Sequence, residues 1–408
     1  MRILIVSEDI PEPHMGGLAK HALMLARALI GAGHEVDILG GDQHPIEVCG
    51  EEGSFGGRFF GELNGQHAGW KEISFGMFMP PKRPAIARHF ARIIMRHARN
   101  YDVVHYHGHL ANVGRYLPPD LNFVQTRHDQ GSDCFRHTRF RDGAICTSVD
   151  PGDCAHCITP HPNVVQRAVS RMAVIRFRRE VSESFRRHKT VFVSDMLQRN
   201  LARTLGPGRW GTTVHHFVDT ELLERIREQV PGEPNPGKFR IFVAAKLYAA
   251  KGVGAFLRTL KPHLRDDMQI VIAGEGPDAP ALRMEFESER IRFLGWCSPE
   301  ETLRAAAAAD AVVVPSLLEE AFGATTLEGL LLGKPTFALD IGGTPELALY
   351  AAPGQLHLHA DMQSLVHALV EHDPRTRFHP VPAELGGVER AAQRLLQIYR
   401  SPPRQSLS

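Results

Sequence analysis

Two carboxylates, Glu320 and Glu328, stand with seven residues between them on either side of a turn at Gly323. An apolar run, Ala311 to Val314, precedes them and reads as a buried parallel strand. Ala324 to Leu332 reads as a helix that Gly333 and Pro335 close. The free N–H groups and dipole of a helix start favour an anion, so Gly323, Ala324 and Thr325 are candidates to meet phosphate. Acids beside such a site suit hydroxyl groups, and the ligand that needs both is a sugar nucleotide. Solvated helix-end charges are the plain alternative for this pair.

Other residues with chemical capacity lie at strand ends. Asp102-Val103-Val104-His105-Tyr106-His107 reads as a strand, which aims His107 at a ligand crevice unless it is a structural histidine. Gly16-Gly17 before the helix Leu18 to Ala32 permits close approach of a ligand or another backbone, and a tight turn explains it equally well. Cys134, Cys146, Cys154 and Cys157 fall in a segment poor in apolar residues, Gly131 to Pro162. The last pair has zinc-knuckle spacing, so the set reads as a structural zinc site or as four reduced thiols.

The elements that position these residues alternate strand and helix. Met1 to Ser7, the glycine loop, Leu18 to Ala32 and Val36 to Leu39 begin one parallel sheet. Residues 40 to 80 read as irregular loops with short strands, Ala85 to Asn100 as a helix, and Val214 to Val218 as a short strand. The polar stretch from Pro231 to Gly237 reads as a linker or exposed loop. A second series starts at Phe239 and runs to a last strand at Thr336 to Leu339. The fold class is therefore α/β, with two Rossmann-like doubly wound sheets facing each other across a cleft. The expected division is 1–218, with a Cys-rich insertion at about 131–162, then 219–384, then a C-terminal helix and tail, 385–408, that packs back on the first domain.

Composition excludes other classes. The 408 residues carry a net charge of +1, against bulk nucleic-acid binding. No apolar run approaches the roughly 18 residues of a membrane span. Ile3 to Val6 is too short for a signal peptide, and the expectation is a cytoplasmic protein. Gly-x-Gly-x-x-Gly is absent after the first strand, so a nicotinamide cofactor is not indicated. Two basic stretches, Arg88, Arg92, Arg96 and Arg99 on one helix and the arginines between 167 and 189, read as solvated faces, or as surfaces for an anionic membrane or a phosphorylated acceptor.

Together these residues resemble the retaining GT-B glycosyltransferases of family four, the group 1 type, over nearly the whole chain. The resemblance rests on Gly16-Gly17, Asp102 to His107, Lys246-Leu247 with Lys251-Gly252, Gly274-Glu275-Gly276-Pro277, Phe293-Leu294-Gly295, Glu320 to Glu328, and Gly342-Gly343-Thr344-Pro345-Glu346. It implies that Lys246 and Lys251 clamp the donor pyrophosphate, Glu328 the ribose and Glu320 the donor sugar. His107 would lie at the reaction centre, and Gly16 and Gly17 near phosphate and acceptor. The base would rest by Gly274, Gly276 and Gly295, and Phe322 belongs to the donor loop. The family's usual Gly-Arg-Leu reads Ala245-Lys246-Leu247 here, which keeps the charge and loses the bidentate fork.

The implied activity is hexose transfer with retention from a UDP- or GDP-linked sugar to a carbohydrate or lipid-linked hydroxyl, in cell-surface polysaccharide or glycoconjugate synthesis. No catalytic metal is implied. Some relatives carry a cysteine-rich insertion after a His-Asp pair like His128-Asp129, which favours the structural zinc. A sugar-nucleotide epimerase on the same fold, or a module that only binds sugar nucleotides, are the alternatives. The protein would sit in the cytoplasm or against the inner face of the membrane.

Overall fold

A computed structural model describes residues 1–13, 16–63, 81–158, 163–230 and 237–402. The chain forms two compact units, one of Met1–Arg139, Thr147–His215 and Ala391–Ser408, the other of Phe140–Cys146 and His216–Arg390. The expected linker at 231–236, the second half of the 40–80 segment and the end of the Cys-rich insertion lie outside the described residues.

The first unit is built on a seven-stranded sheet. Its strands are β1 (Arg2–Val6), β2 (Glu35–Gly41), β3 (Phe59–Leu63), β4 (Val103–His107) and β5 (Phe123–Arg127). Beyond a two-stranded hairpin, β6 (Phe140–Arg141) with β7 (Ala144–Ile145), come β8 (Lys189–Phe192) and β9 (Thr212–Thr213). The order is β3-β2-β1-β4-β5-β8-β9, and every pairing is parallel. Ile3, Leu4, Ile5 and Val6 are all fully buried, as a strand covered on both faces requires. Its helices are α1 (Gly17–Gly31), α2 (Arg83–Ala98), α3 (Pro151–Ile158), α4 (Val164–Arg187) and α5 (Asp195–Leu205). The strand expected at Val214 to Val218 sits earlier, at β9, and Val218 makes only an isolated bridge to Gly387.

The second unit is a six-stranded parallel sheet in the order β12-β11-β10-β13-β14-β15. Its elements are α6 (Thr220–Gln229), β10 (Phe239–Ala244), α7 (Val253–Leu260), β11 (Met268–Ala273), α8 (Ala279–Phe286), β12 (Ile291–Gly295), α9 (Pro299–Ala308), β13 (Ala311–Val314), α10 (Ala324–Leu331), β14 (Thr336–Leu339), β15 (Leu356–His359) and α11 (Met362–Glu371). Phe239, Ile241, Val243, Ile270, Val313 and Phe337 form its core with Phe256 and Leu257 of α7. Each such burial stabilises by about 1.5–3 kcal/mol. The sheet does not end at β14 as expected. Leu356-His357-Leu358-His359 adds an edge strand, because both imidazoles stack flat on Phe337, with centroids 4.4 and 6.3 Å away.

A final helix, α12 (Val388–Arg400), has Leu395 and Tyr399 buried. Tyr399 holds it to the first sheet: its hydroxyl lies 2.6 Å from His105 Nδ1 on β4, and its carbonyl accepts from Asn122 and Lys189. No described helix is long and apolar enough to cross a membrane.

Candidate active site

In the second unit the loops at the carboxyl ends of the strands are tied to one another, and the tie places the charges. Gly252 has φ +71°, and a Cβ there would stand 1.9 Å from the Pro315 carbonyl oxygen, so only glycine lets the two loops touch. Leu317 N donates to Ala250 O at 2.9 Å across the same contact. The result sets Lys251 Nζ 2.5 Å from Glu320 Oε1, with the two side chains 22% and 17% exposed. Gly343 N donates to the Glu320 carbonyl at 2.8 Å, so the glycine pair after β14 braces the acid's backbone. Burial raises the pKa of the Tyr248 hydroxyl, and Lys251 and Glu320 both act on it.

Helix α10 opens at Gly323, whose φ is +95°, and no side chain caps it. Its first N–H groups therefore lack the side-chain acceptor that most helix starts supply. Ala324 is exposed, Thr325 is half-buried, and Glu328 is half-buried one turn into the helix. Phe322 is 2% exposed with its ring against His216 and Tyr350, so its side chain braces the loop. Lys246 is exposed. Gly274, with φ +134°, lies where a Cβ would stand 1.9 Å from Ala245 O, and its N–H donates to Gly295 O at 2.7 Å. These glycines, with Gly276 against Leu247 O, let three strand ends close on one another.

In the first unit, Gly16 and Gly17 are exposed, and a Cβ at either would meet nothing within 4 Å. The fold's own packing does not demand them. His107 is fully buried. Its Nδ1 lies 3.0 Å from His128 Nε2 and its Nε2 lies 3.1 Å from His105 Nδ1. The ring expected to face the ligand thus sits behind His128, which is half-buried and packs edge-on to His21 at 4.7 Å. His105 is held neutral: burial lowers its pKa well below the ordinary value, and His107 adds to the effect. His128 is the imidazole that the strand-end argument passed over. The same rule applied to β5, the neighbour of β4, points to it.

Beside this chain runs a second network. His109 Nε2 is 3.1 Å from Asp9 Oδ2, and its Nδ1 is 3.1 Å from Asp129 Oδ2. Asp129 Oδ2 also meets His137 Nδ1 at 2.9 Å, and His137 Nε2 faces Arg83 Nη2 at 3.0 Å. Burial alone would lower the pKa of His109, but the two carboxylates outweigh it and hold the ring well above the ordinary value, as an imidazolium. Burial likewise opposes the charge of Asp129, and His137 and His109 overcome it, holding that carboxyl well below the usual range. His109, Asp129 and His137 present three ligand atoms close enough for a metal ion. The donor Arg83 Nη2 at His137 Nε2 requires the proton on Nδ1, however, and a protonated Nδ1 cannot ligate. Arg83 itself is fully buried between the rings of Phe135 and Phe177, 4.5 and 4.6 Å from their centroids, and burial lowers its pKa to about 9.

The cysteines are not drawn into a ready-made tetrahedral set. None of the four is in a disulfide, and Cys134, Cys154 and Cys157, which share the first unit, do not bring their three sulfurs within 4.8 Å of one another. Cys154 and Cys157 ride on α3, where Cys154 Sγ accepts from Arg178 Nη2 at 3.2 Å. Burial raises the pKa of Cys134. The zinc-knuckle spacing is therefore present without the geometry.

Comparison with known proteins follows the same division. Residues 15–222 match the model of glycosyltransferase family 4, and residues 238–372 match that of the group 1 glycosyl transferases. A glycogen synthase of Mycobacterium tuberculosis is 27% identical over 90% of this chain and 85% of its own length. A D-inositol 3-phosphate glycosyltransferase of Corynebacterium diphtheriae is 26% identical over 85% and 80%. Among solved structures, Anabaena HepE in complex with UDP-glucose superposes with TM-score 0.60 at 16% identity, covering 97% of this chain and 98% of that one. A sucrose-phosphate synthase of Thermosynechococcus elongatus gives TM-score 0.62 at 18% identity, covering 98% of each chain.

Proposed function

Because this chain belongs to the family 4, group 1 glycosyltransferases, we propose that it moves a hexose from a nucleotide-sugar donor to a hydroxyl acceptor with retention of configuration. The observation that carries the reading is the Lys251–Glu320 pair set beside the uncapped start of α10, with Glu328 one turn further on. In this reading Lys251, with Lys246, meets the donor pyrophosphate in place of the carboxylate it now holds. The open N–H groups of α10 add to that charge. Glu320, released from Lys251, accepts hydrogen bonds from the donor sugar, and Glu328 from the ribose. The anomeric C–O bond to phosphate breaks while the acceptor oxygen bonds the same carbon. The leaving phosphate oxygen takes the acceptor's proton. Such a reaction gains most from fixed positive charge where the diphosphate departs.

On the first unit, His128 rather than His107 alone is the imidazole read as meeting the ligand, with His107 and His105 behind it fixing its orientation. Structures of one fold neighbour, Anabaena HepE, with UDP or UDP-glucose support a nucleotide-sugar donor. The acceptor is read as a carbohydrate or lipid-linked hydroxyl of a surface polysaccharide or glycoconjugate. The test is product stereochemistry: with an accepted donor, the anomeric proton of the product read by NMR should keep the donor's configuration. An inverted product, or a donor isomerised without any acceptor, would overturn the reading.

A further inference from the structure

Helix α4 exposes an apolar face where a helix on a sheet should be polar. Val164, Val165, Val169, Met172 and Ile175 are 82%, 71%, 53%, 70% and 44% exposed. They are five of the eleven large hydrophobic side chains that stand exposed among the described residues. At 3.6 residues per turn they fall in an arc of roughly 140°. Val174, Phe177, Val181 and Phe185, all fully buried, occupy the opposite side and hold the helix to its unit. The helix is therefore apolar on two faces, and only one of them is covered. An outward stripe of this kind marks a surface that meets something.

The charges around the stripe say what. Val164 to Arg179 contains five arginines and no acid. Arg167 and Arg171, both exposed, border the stripe on one edge. Arg176 and Arg179 fall within the arc of the stripe, beyond its apolar residues, and each is paired with an acid four residues on, Glu180 and Glu183. A second copy of the chain is a poor match. Two such helices laid together at the stripe, Val164 to Ile175, would bring Arg167 and Arg171 of each against a segment with no acid to meet them. An apolar stripe edged by arginines fits an anionic lipid surface, with the valines and Met172 below the headgroups and the guanidinium groups among them.

The arginine row of α2, which the sequence singles out equally, is less suited. Arg96 pairs with Glu62 at 2.7 Å, and Arg88 lies over the Tyr116 ring. We propose that the N-terminal half of α4 is a membrane-docking surface that seats this protein on anionic lipid, the apolar stripe entering the interface and Arg167 and Arg171 meeting the headgroups.

This inference stands apart from sugar transfer and is tested without it. The purified full-length protein is mixed with phosphatidylcholine vesicles, with and without phosphatidylglycerol, and bound protein is separated by flotation. The expected result is binding to the phosphatidylglycerol vesicles that weakens at high salt, and at least about tenfold weaker binding to phosphatidylcholine alone. Val165→Glu/Met172→Glu should abolish flotation. Arg167→Gln/Arg171→Gln should weaken it about twenty-five-fold, at about fivefold per arginine near an anionic surface. All these positions are exposed, so thermal melting of the variants should match the wild type. Failure to float with either vesicle, equal binding to both, or variants that bind as the wild type does would overturn the proposal. So would a wild-type dimer in analytical ultracentrifugation that Val165→Glu/Met172→Glu converts to monomer, which would make the stripe a contact between copies.

Discussion

Replacing Lys251 with methionine keeps the length of the side chain and deletes its charge. In the ligand-free protein this leaves Glu320 without the cation 2.5 Å from it, in a place where both side chains are less than a quarter exposed. A hydrogen bond to a charged group contributes roughly 1.5–3 kcal/mol, so the variant should lose about 2 kcal/mol and melt several degrees lower. The effect on transfer should be larger than that loss implies. A fixed donor aimed at charge that develops in the transition state is worth on the order of 10²–10³ in kcat. Glu320→Gln gives the contrasting case. It frees Lys251 from its competitor, so a nucleoside diphosphate should bind as tightly as to the wild type or tighter, while turnover falls. The assay is steady-state release of nucleoside diphosphate, with calorimetric titration of the diphosphate alone. Lys251→Met protein that melts lower yet keeps kcat/KM within about threefold of the wild type would refute the reasoning, because the pair would then serve the fold only.

His188 is largely buried, and burial lowers its pKa to about 4. A folded-state value below the unfolded 6.5 means that the unfolded chain takes the proton first, so stability is lost as pH falls from 6.5 toward 4. That gap amounts to about 3 kcal/mol for His188, and His188→Gln should flatten the acid limb of a urea-stability profile by about that much. His105, lowered in the same sense, steepens the loss, whereas His109, raised, opposes it. Tyr399→Phe removes the hydroxyl that meets His105 Nδ1 at 2.6 Å, and should cost about 1–2 kcal/mol in chemical denaturation with secondary structure unchanged by circular dichroism. Protein purified without added zinc should carry well under one equivalent by metal analysis, since the four thiols are not gathered; a full equivalent would show that they close around a metal.

How far the sequence was legible depends on what each element rests on. Strands such as β1 and β13 are short apolar runs buried on both faces, and their patterning alone announces them. Edge strands are another matter: β15 alternates leucine with histidine, and nothing local reveals that Phe337 receives both imidazoles. The candidate site shows the same split. Glu320, Glu328 and Lys251 were visible as charges at a turn and a helix start. Their pairing was not, because the separation of 69 positions between Lys251 and Glu320 is bridged only when Gly252 lets its loop touch Pro315. His107 was found by its place at a strand end, yet its burial behind His128 depends on the parallel pairing of β4 with β5. Cys-x-x-Cys on a helix sets two sulfurs on one face and says nothing of where the other two lie.

The central claim is that the loops around α10 hold a nucleotide sugar through charge on the phosphates and carboxylates on the hydroxyls. Calorimetric titration of UDP, then UDP-glucose, into the wild type and into Glu328→Ala tests it most directly. The account predicts that the wild type binds both and that the folded variant binds each at least about tenfold more weakly, the loss expected when charged hydrogen bonds to the ribose are removed. A Glu328→Ala protein that binds UDP as tightly as the wild type would contradict it.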